Sequence, residues 1–584
     1  MPPRALFAAF ALCLMVAATA SPATAQSSIS QAAIEPASAA LLAKHGEAYA
    51  ERIRSGVRQV AERWWAEDGD EAAFSAFVLD HYWADDAERA TALHRVAVAL
   101  EQINGHLHEV RRELTRPFDL DLGPISATDQ LLGEIDLSSH VPSDLYGSKV
   151  AFLVLLNAPL HTLPDRLRDG ASWDRATWSR SRLAESFDGR LPPSVLQEIS
   201  SAFAAADRYI AATNIRLDRL ENSQGERLFP EGLRLISHWG LRDELAAHYS
   251  NQGADSNGLG LARQRQIYQV MRRIVRQEIP AAVIDNGDLT WNPETNTVRA
   301  LDPSKVSDAS KLAEREADVR YAKFLSVFHA VRKADPFSPT DPTYIDRQFN
   351  GNRQVPEKEV EALLISVLES PEVHDLAKLI RDRLGRPLEP FDIWYAGFKP
   401  RSGHSEADLD ALVRAKFATV QTFQAALPKT LEGLGFAPDK AQWLAQRIVV
   451  DPARGAGHAM PAVRREDSVH LRTRVPAGGM DYKGYNIAIH ELGHNVEQVF
   501  SLHGIDHWAL SGVPNNAFTE ALAFVFQHRD LELLGLGQQD AAARRAEALS
   551  TLWNTYEIAG VSLVDMRVWR YLYEHPDATP AELR

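Results

Sequence analysis

The chain has 584 residues, 45% of them hydrophobic and 24% charged, with a formal net charge of -15. At roughly 150 residues per domain, that length predicts several domains or one large two-lobed body. The acidic balance repels phosphate backbones and anionic lipid surfaces, so neither nucleic acid nor a membrane face is expected as a partner.

Residues 1–25 differ from the rest. Arg4 gives a positive start, 5–19 is an almost unbroken apolar run, and Ala23-Thr24-Ala25 has the small-x-small form of a processing site. This predicts a signal peptide cut before Gln26, hence a secreted or periplasmic protein with no stable membrane insertion after cleavage. The run is shorter than the roughly 20 residues that span a bilayer. The only cysteine, Cys13, lies inside it. The processed chain then has no disulfide, no thiol nucleophile and no thiolate ligand, leaving His and carboxylates as its strong zinc ligands. The apolar stretch 149–156 (KVAFLVLL) has the length of a buried core segment.

Most of the chain carries helical periodicity. Helices are predicted over 47–65, 85–115, 193–220, 261–278, 309–333, 357–384 and 405–434. In 85–115, Leu93, Val96, Leu100, Ile103, Leu107, Val110 and Leu114 recur at alternating three- and four-residue steps. That stripe predicts one buried face in a helical bundle, with Arg116-Pro117 as its stop. Strand signals are few. Residues 289–291 and 297–299, around Asn292-Pro293-Glu294, predict a small hairpin. The alternation in 469–475 (VHLRTRV) predicts a half-buried strand. Residues 334–342 and 285–303 are candidate linkers. The expected organisation is an N-terminal helical region, 26–335, and a catalytic region, 336–584.

The chemistry concentrates in 485–500 (YNIAIHELGHNVEQVF). His490 and His494 are four residues apart and project from one helical face, where both reach a single zinc ion at about 2.0–2.1 Å. Glu491 sits beside the first of them, placed to take a proton from the attacking water. This is the H-E-x-x-H pattern of metal-dependent peptidases. A third protein ligand leaves the fourth position for water. Glu497 and Phe500 stand where a metzincin has Gly and His, which excludes that class. Glu520, on a following helix capped by Asn515 or Asn516, is the expected third ligand. It lies in an apolar run, 517–526, where an unpaired buried carboxylate costs several kcal/mol and a divalent cation is its natural partner. His503, Asp506 and His507 in the connection are weaker candidates. The strand 469–475 precedes the metal helix by a short turn, so His470, Leu471, Arg472 and Thr473 are candidate substrate-binding residues through main-chain pairing.

With these residues in view, the chain resembles the thimet oligopeptidase and oligoendopeptidase F family of zinc peptidases. The resemblance rests on His490-Glu491-Leu492-Gly493-His494, Ser511-Gly512 and Phe518-Thr519-Glu520. Glu389-Pro390-Phe391-Asp392-Ile393-Trp394-Tyr395 and Arg454-Gly455-Ala456-Gly457-His458-Ala459 join it more loosely. It covers roughly 388–527 and implies a mainly α fold, with a small β-sheet beside the active-site helix of a two-lobed body. It also implies one Zn2+ per chain, deep in a channel, and short peptides as substrates.

One departure matters. A Tyr- and Gly-rich loop that supplies oxyanion-stabilising Tyr and His in that family has no counterpart here. Tyr556, Tyr571 and Tyr573 sit in no matching pattern. Thr579-Pro580-Ala581-Glu582 is a helix-start signature close to Arg584. The expectation is that the chain lacks part of its active site. A zinc-binding but catalytically silent peptide-binding protein of the cell envelope is therefore the alternative to an active peptidase.

Overall fold

The structure, a computed structural model, describes residues 28–584 apart from 134, 136, 139, 251–257, 306–307, 309–310, 399–404, 456 and 538–539. The expected signal peptide, with Cys13, lies outside the described residues, as does Ala456. The chain is mainly α, with 66% of the described residues in helix and 6% in strand. Among the described residues no helix is long and apolar enough to cross a membrane.

Two compact units interleave along the sequence. The first comprises Met1–Ala99, Ser139–Leu196 and Ala334–Pro342, so it takes in the stretch 334–342 expected as a linker. Its helices Ala50–Arg63 and Val150–Asn157 meet at Gly56, where a Cβ would lie 2.2 Å from the Leu156 carbonyl oxygen. The second of these helices is the apolar run 149–156, and it is buried as predicted. Trp64, Phe74, Phe77 and Phe152 form an aromatic cluster in the same unit, with ring centroids 4.8–6.1 Å apart. Buried charges here are paired, Arg63 with Asp188 at 3.0 Å and Arg190 with Asp68, which is the condition for keeping them out of water.

The second unit comprises Leu100–Ser138, Gln197–Lys333 and Thr343–Arg584. One of its cores gathers Leu217, Ile267, Phe391 and Trp553. Another gathers Phe423, Leu471, Tyr485, Leu492 and Phe526. Its strands are β1 (Asn214–Arg216), β2 (Arg234–Ile236), β3 (Leu289–Asn292), β4 (Thr297–Ala300), β5 (Ile448–Pro452), β6 (His458–Met460) and β7 (Val469–Thr473). The pair β3–β4 is the predicted hairpin. The sheet β5–β7–β6 has β7 in the middle, parallel to β5 and antiparallel to β6.

Several expectations are corrected. The helix Asp86–Asp119 runs two residues past Pro117, because a proline in the last turn forfeits a single bond there. Its stripe is only partly covered: Leu93 and Leu100 are buried, whereas Ile103 and Val110 are exposed. The stretch 357–384 divides at Pro371, and 405–434 divides before Thr419, which caps the second helix. The helix expected over 193–220 stops at Ala212 and is followed by β1. Strand β7 is buried on both faces rather than one. Two of its polar side chains find carboxylate partners outside the strand: His470 Nδ1 lies 2.7 Å from Asp451, and Arg472 pairs with Asp119 at 3.0 Å.

The helix-start signature at Thr579 does build a short turn, Pro580–Leu583, closed by a reciprocal Thr579–Glu582 capping box.

Candidate metal centre

The histidine helix, Tyr482–His503, starts at Asp481, whose side chain accepts from the Gly484 N–H at 2.7 Å. Tyr485, Ile489, Leu492, Val496 and Val499, at steps of four and three, are buried in the core. That register turns His490, His494 and Glu497 onto another face, which lines a cavity of about 590 Å³. The glutamate helix, Asn516–Gln527, is capped by Asn515, which accepts from the Ala517 N–H at 2.9 Å.

The two helices bring three donors to one point. The Nε2 atoms of His490 and His494 are 3.2 Å apart. Glu520 approaches them at 3.4 and 3.6 Å, and all three donors lie within 4.8 Å of one another. Ligands about 2.0–2.1 Å from one tetrahedral ion are separated by about 3.3 Å, so these spacings fit a single divalent cation.

The ring orientations agree. His490 Nδ1 lies 3.1 Å from Gln527 Oε1, an acceptor, so Nδ1 carries the proton and Nε2 presents its lone pair. His494 Nδ1 lies 2.7 Å from the Thr519 hydroxyl. Burial also holds the His494 imidazole below its ordinary pKa, which favours the neutral ring that a ligand must be. Behind Gln527 the network continues through Asn486 to Asp530, with contacts of 2.8 and 2.7 Å.

Glu520 converges as expected, but not for the reason expected. Its side chain is 50% exposed, and Phe518, Phe524 and Val525 on the same helix are exposed too. The apolar run around it is a partly uncovered surface, and the carboxylate is turned onto the histidines all the same.

Glu491 is buried at 8% exposure and lines the same cavity. Burial pushes its carboxyl above the usual range, opposed by His490 and by a hydrogen bond from the Ala459 backbone N–H.

The expected substrate strand is corrected. His470, Leu471 and Arg472 are paired on both sides, to β5 and to β6, so β7 has no edge left for a peptide there, and Thr473 is wholly buried. The cavity is lined instead by His458 and Ala459 of β6, the edge strand. Arg472 Nη1 lies 2.9 Å from His458 Nε2. Of the weaker candidates, His503, Asp506 and His507 stand outside the three-donor group.

The three tyrosines are engaged elsewhere. Tyr556 stacks on Trp553, Tyr571 lies tilted against His575, and the Tyr573 hydroxyl accepts from the Tyr344 N–H. No tyrosine stands among the described residues lining the cavity. The segment 389–395 serves packing: buried Asp392 is held by Arg386 at 2.7 Å and by the Tyr249 hydroxyl at 2.6 Å. The contacts of Thr519 and Gln527 with the two imidazoles and the place of Glu497 in the cavity were not read from the motifs, although Thr519 adjoins Glu520 and Gln527 lies two helical turns beyond it.

Comparison with protein-family models finds no match, and comparison with curated proteins finds none either.

Proposed function

We propose that the chain is a zinc-dependent peptidase acting on short peptides. The observation that carries this reading is the meeting of His490 Nε2, His494 Nε2 and Glu520 within 4.8 Å, with Glu491 in the same cavity. When bound, zinc supplies Lewis acidity, polarising a carbonyl and lowering the pKa of water towards about 7. His490, His494 and Glu520 would hold it. Gln527 and Thr519 keep the imidazole Nε2 atoms aimed inward. Glu491 accepts the proton of the attacking water on its carboxylate and passes it to the leaving amine nitrogen. The edge strand β6, rather than β7, is where an extended peptide adds to the sheet. Residues 1–25 support a secreted or periplasmic location, with peptides as partners and neither nucleic acid nor a membrane.

Incubating zinc-loaded protein with a mixture of short peptides, read by mass spectrometry, tests this. Fragments should form with wild type, and be lost with chelator and with Glu491→Gln, which should retain about one zinc per chain. The tyrosine-free lining favours a second reading, a zinc-binding but catalytically silent peptide-binding protein of the cell envelope. Zinc retained without any fragments would favour that reading over the first.

A further inference from the structure

We propose that the cavity beside the metal centre selects peptides with a cationic side chain, and that Glu497 is the residue that recognises it. The proposal rests on the reading of this cavity as a peptide site and adds the class of peptide.

The cavity follows the histidine helix from His490 to Leu502. At 1.5 Å per residue this is about 18 Å, the span of about five residues of extended chain. Glu497 stands one turn beyond His494 on the same face, about 5 Å along the axis. A peptide lying over the metal ligands and into the cavity therefore passes it.

The charges lining the cavity are one-sided. Glu491, Glu497 and Glu520 contribute carboxylates, and no Lys or Arg stands among the described lining residues. Three carboxylates against one divalent cation leave a negative charge without a counterpart. Glu520 is a ligand and Glu491 is the base, so the surplus falls to Glu497.

Glu497 is also incompletely satisfied. Glu497 is half-buried, and burial pushes its carboxyl above the ordinary value, opposed by the Ser501 and Thr519 hydroxyls, while Oε1 is buried with no hydrogen-bond partner. A carboxylate oxygen removed from water and left unpaired is costly, and an ammonium or guanidinium supplies both the donor and the opposite charge. Trp508 lines the same cavity, its indole N–H fixed by the Val463 carbonyl at 3.0 Å, and offers an aromatic surface to the stem of a Lys or Arg. A purely structural role for Glu497, bracing Thr519, would give no preference among ligands.

Binding to zinc-loaded Glu491→Gln protein, measured by calorimetry, is the test. One series of alanine hexapeptides carries a single Lys moved through every position, and a matched series carries norleucine. At one position Lys should bind about tenfold or more tighter than norleucine. The gap should narrow with added salt and fall to within about twofold when Glu497→Gln is introduced with zinc content unchanged. Equal binding of the two series, no binding by either, or a gap that survives Glu497→Gln overturns the proposal. A Lys preference without cleavage by wild type defeats the hydrolytic reading and keeps this one. Cleavage without a Lys preference does the reverse.

Discussion

Gly493 and Ala523 touch where the histidine and glutamate helices cross: a Cβ on Gly493 would lie 2.5 Å from the Ala523 Cα and 3.0 Å from its backbone nitrogen. The obstacles are backbone atoms, which cannot rotate away. Because this crossing sets how near Glu520 comes to the two histidines, Gly493→Ala should push the helices apart, destabilise the fold by about 1–3 kcal/mol and weaken metal binding. Chemical denaturation and chelator competition measure the two effects. Wild-type zinc affinity in Gly493→Ala would separate the crossing from the site.

The imidazole supports should be felt in metal affinity. Gln527→Ala removes the acceptor on His490 Nδ1, and Thr519→Val removes the hydroxyl on His494 Nδ1. Each should cost about 10- to 100-fold in zinc affinity. Gln527→Glu offers a charged acceptor at the same place and should tighten binding. Equal affinity across the series would mean that the rings are oriented by other contacts.

Stability should depend on pH through His161. Its Nδ1 lies 2.9 Å from the Ser181 hydroxyl, its ring packs on Trp173, and burial lowers its pKa below the ordinary histidine value of about 6.5. The unfolded chain takes up a proton at about pH 6.5, whereas the folded chain does so only at lower pH. The contribution is therefore full above about 6.5 and is lost as pH falls through the lowered pKa. Urea denaturation between pH 8 and 5 should show a shallower loss of stability in His161→Gln than in wild type. Parallel curves would show that His161 titrates alike in both states.

Much of the fold was legible because it is local. The helix bearing His490 and His494 follows from its 3.6-residue period, and the hairpin β3–β4 from its turn residues. What required long-range partners was not legible. The alternation in β7 suggests one wet face, yet His470 and Arg472 are buried because Asp451 and Asp119 arrive from elsewhere in the chain. The apolar run around Glu520 suggests burial, yet nothing local to it reveals that Phe518, Phe524 and Val525 are exposed. The convergence of Glu520 on the two histidines was anticipated through an argument about burial that its 50% exposure overturns. Gln527 becomes identifiable as a support only once the crossing at Gly493 fixes the register of the two helices.

Chelator-competition titration of zinc against wild type, His490→Ala, His494→Ala and Glu520→Ala tests the coordination most directly. Wild type should bind about one zinc per chain, and each variant should bind about a hundredfold or more weakly. Glu520→Ala protein that holds zinc as tightly as wild type would contradict the assignment of the third ligand, and with it the site proposed here.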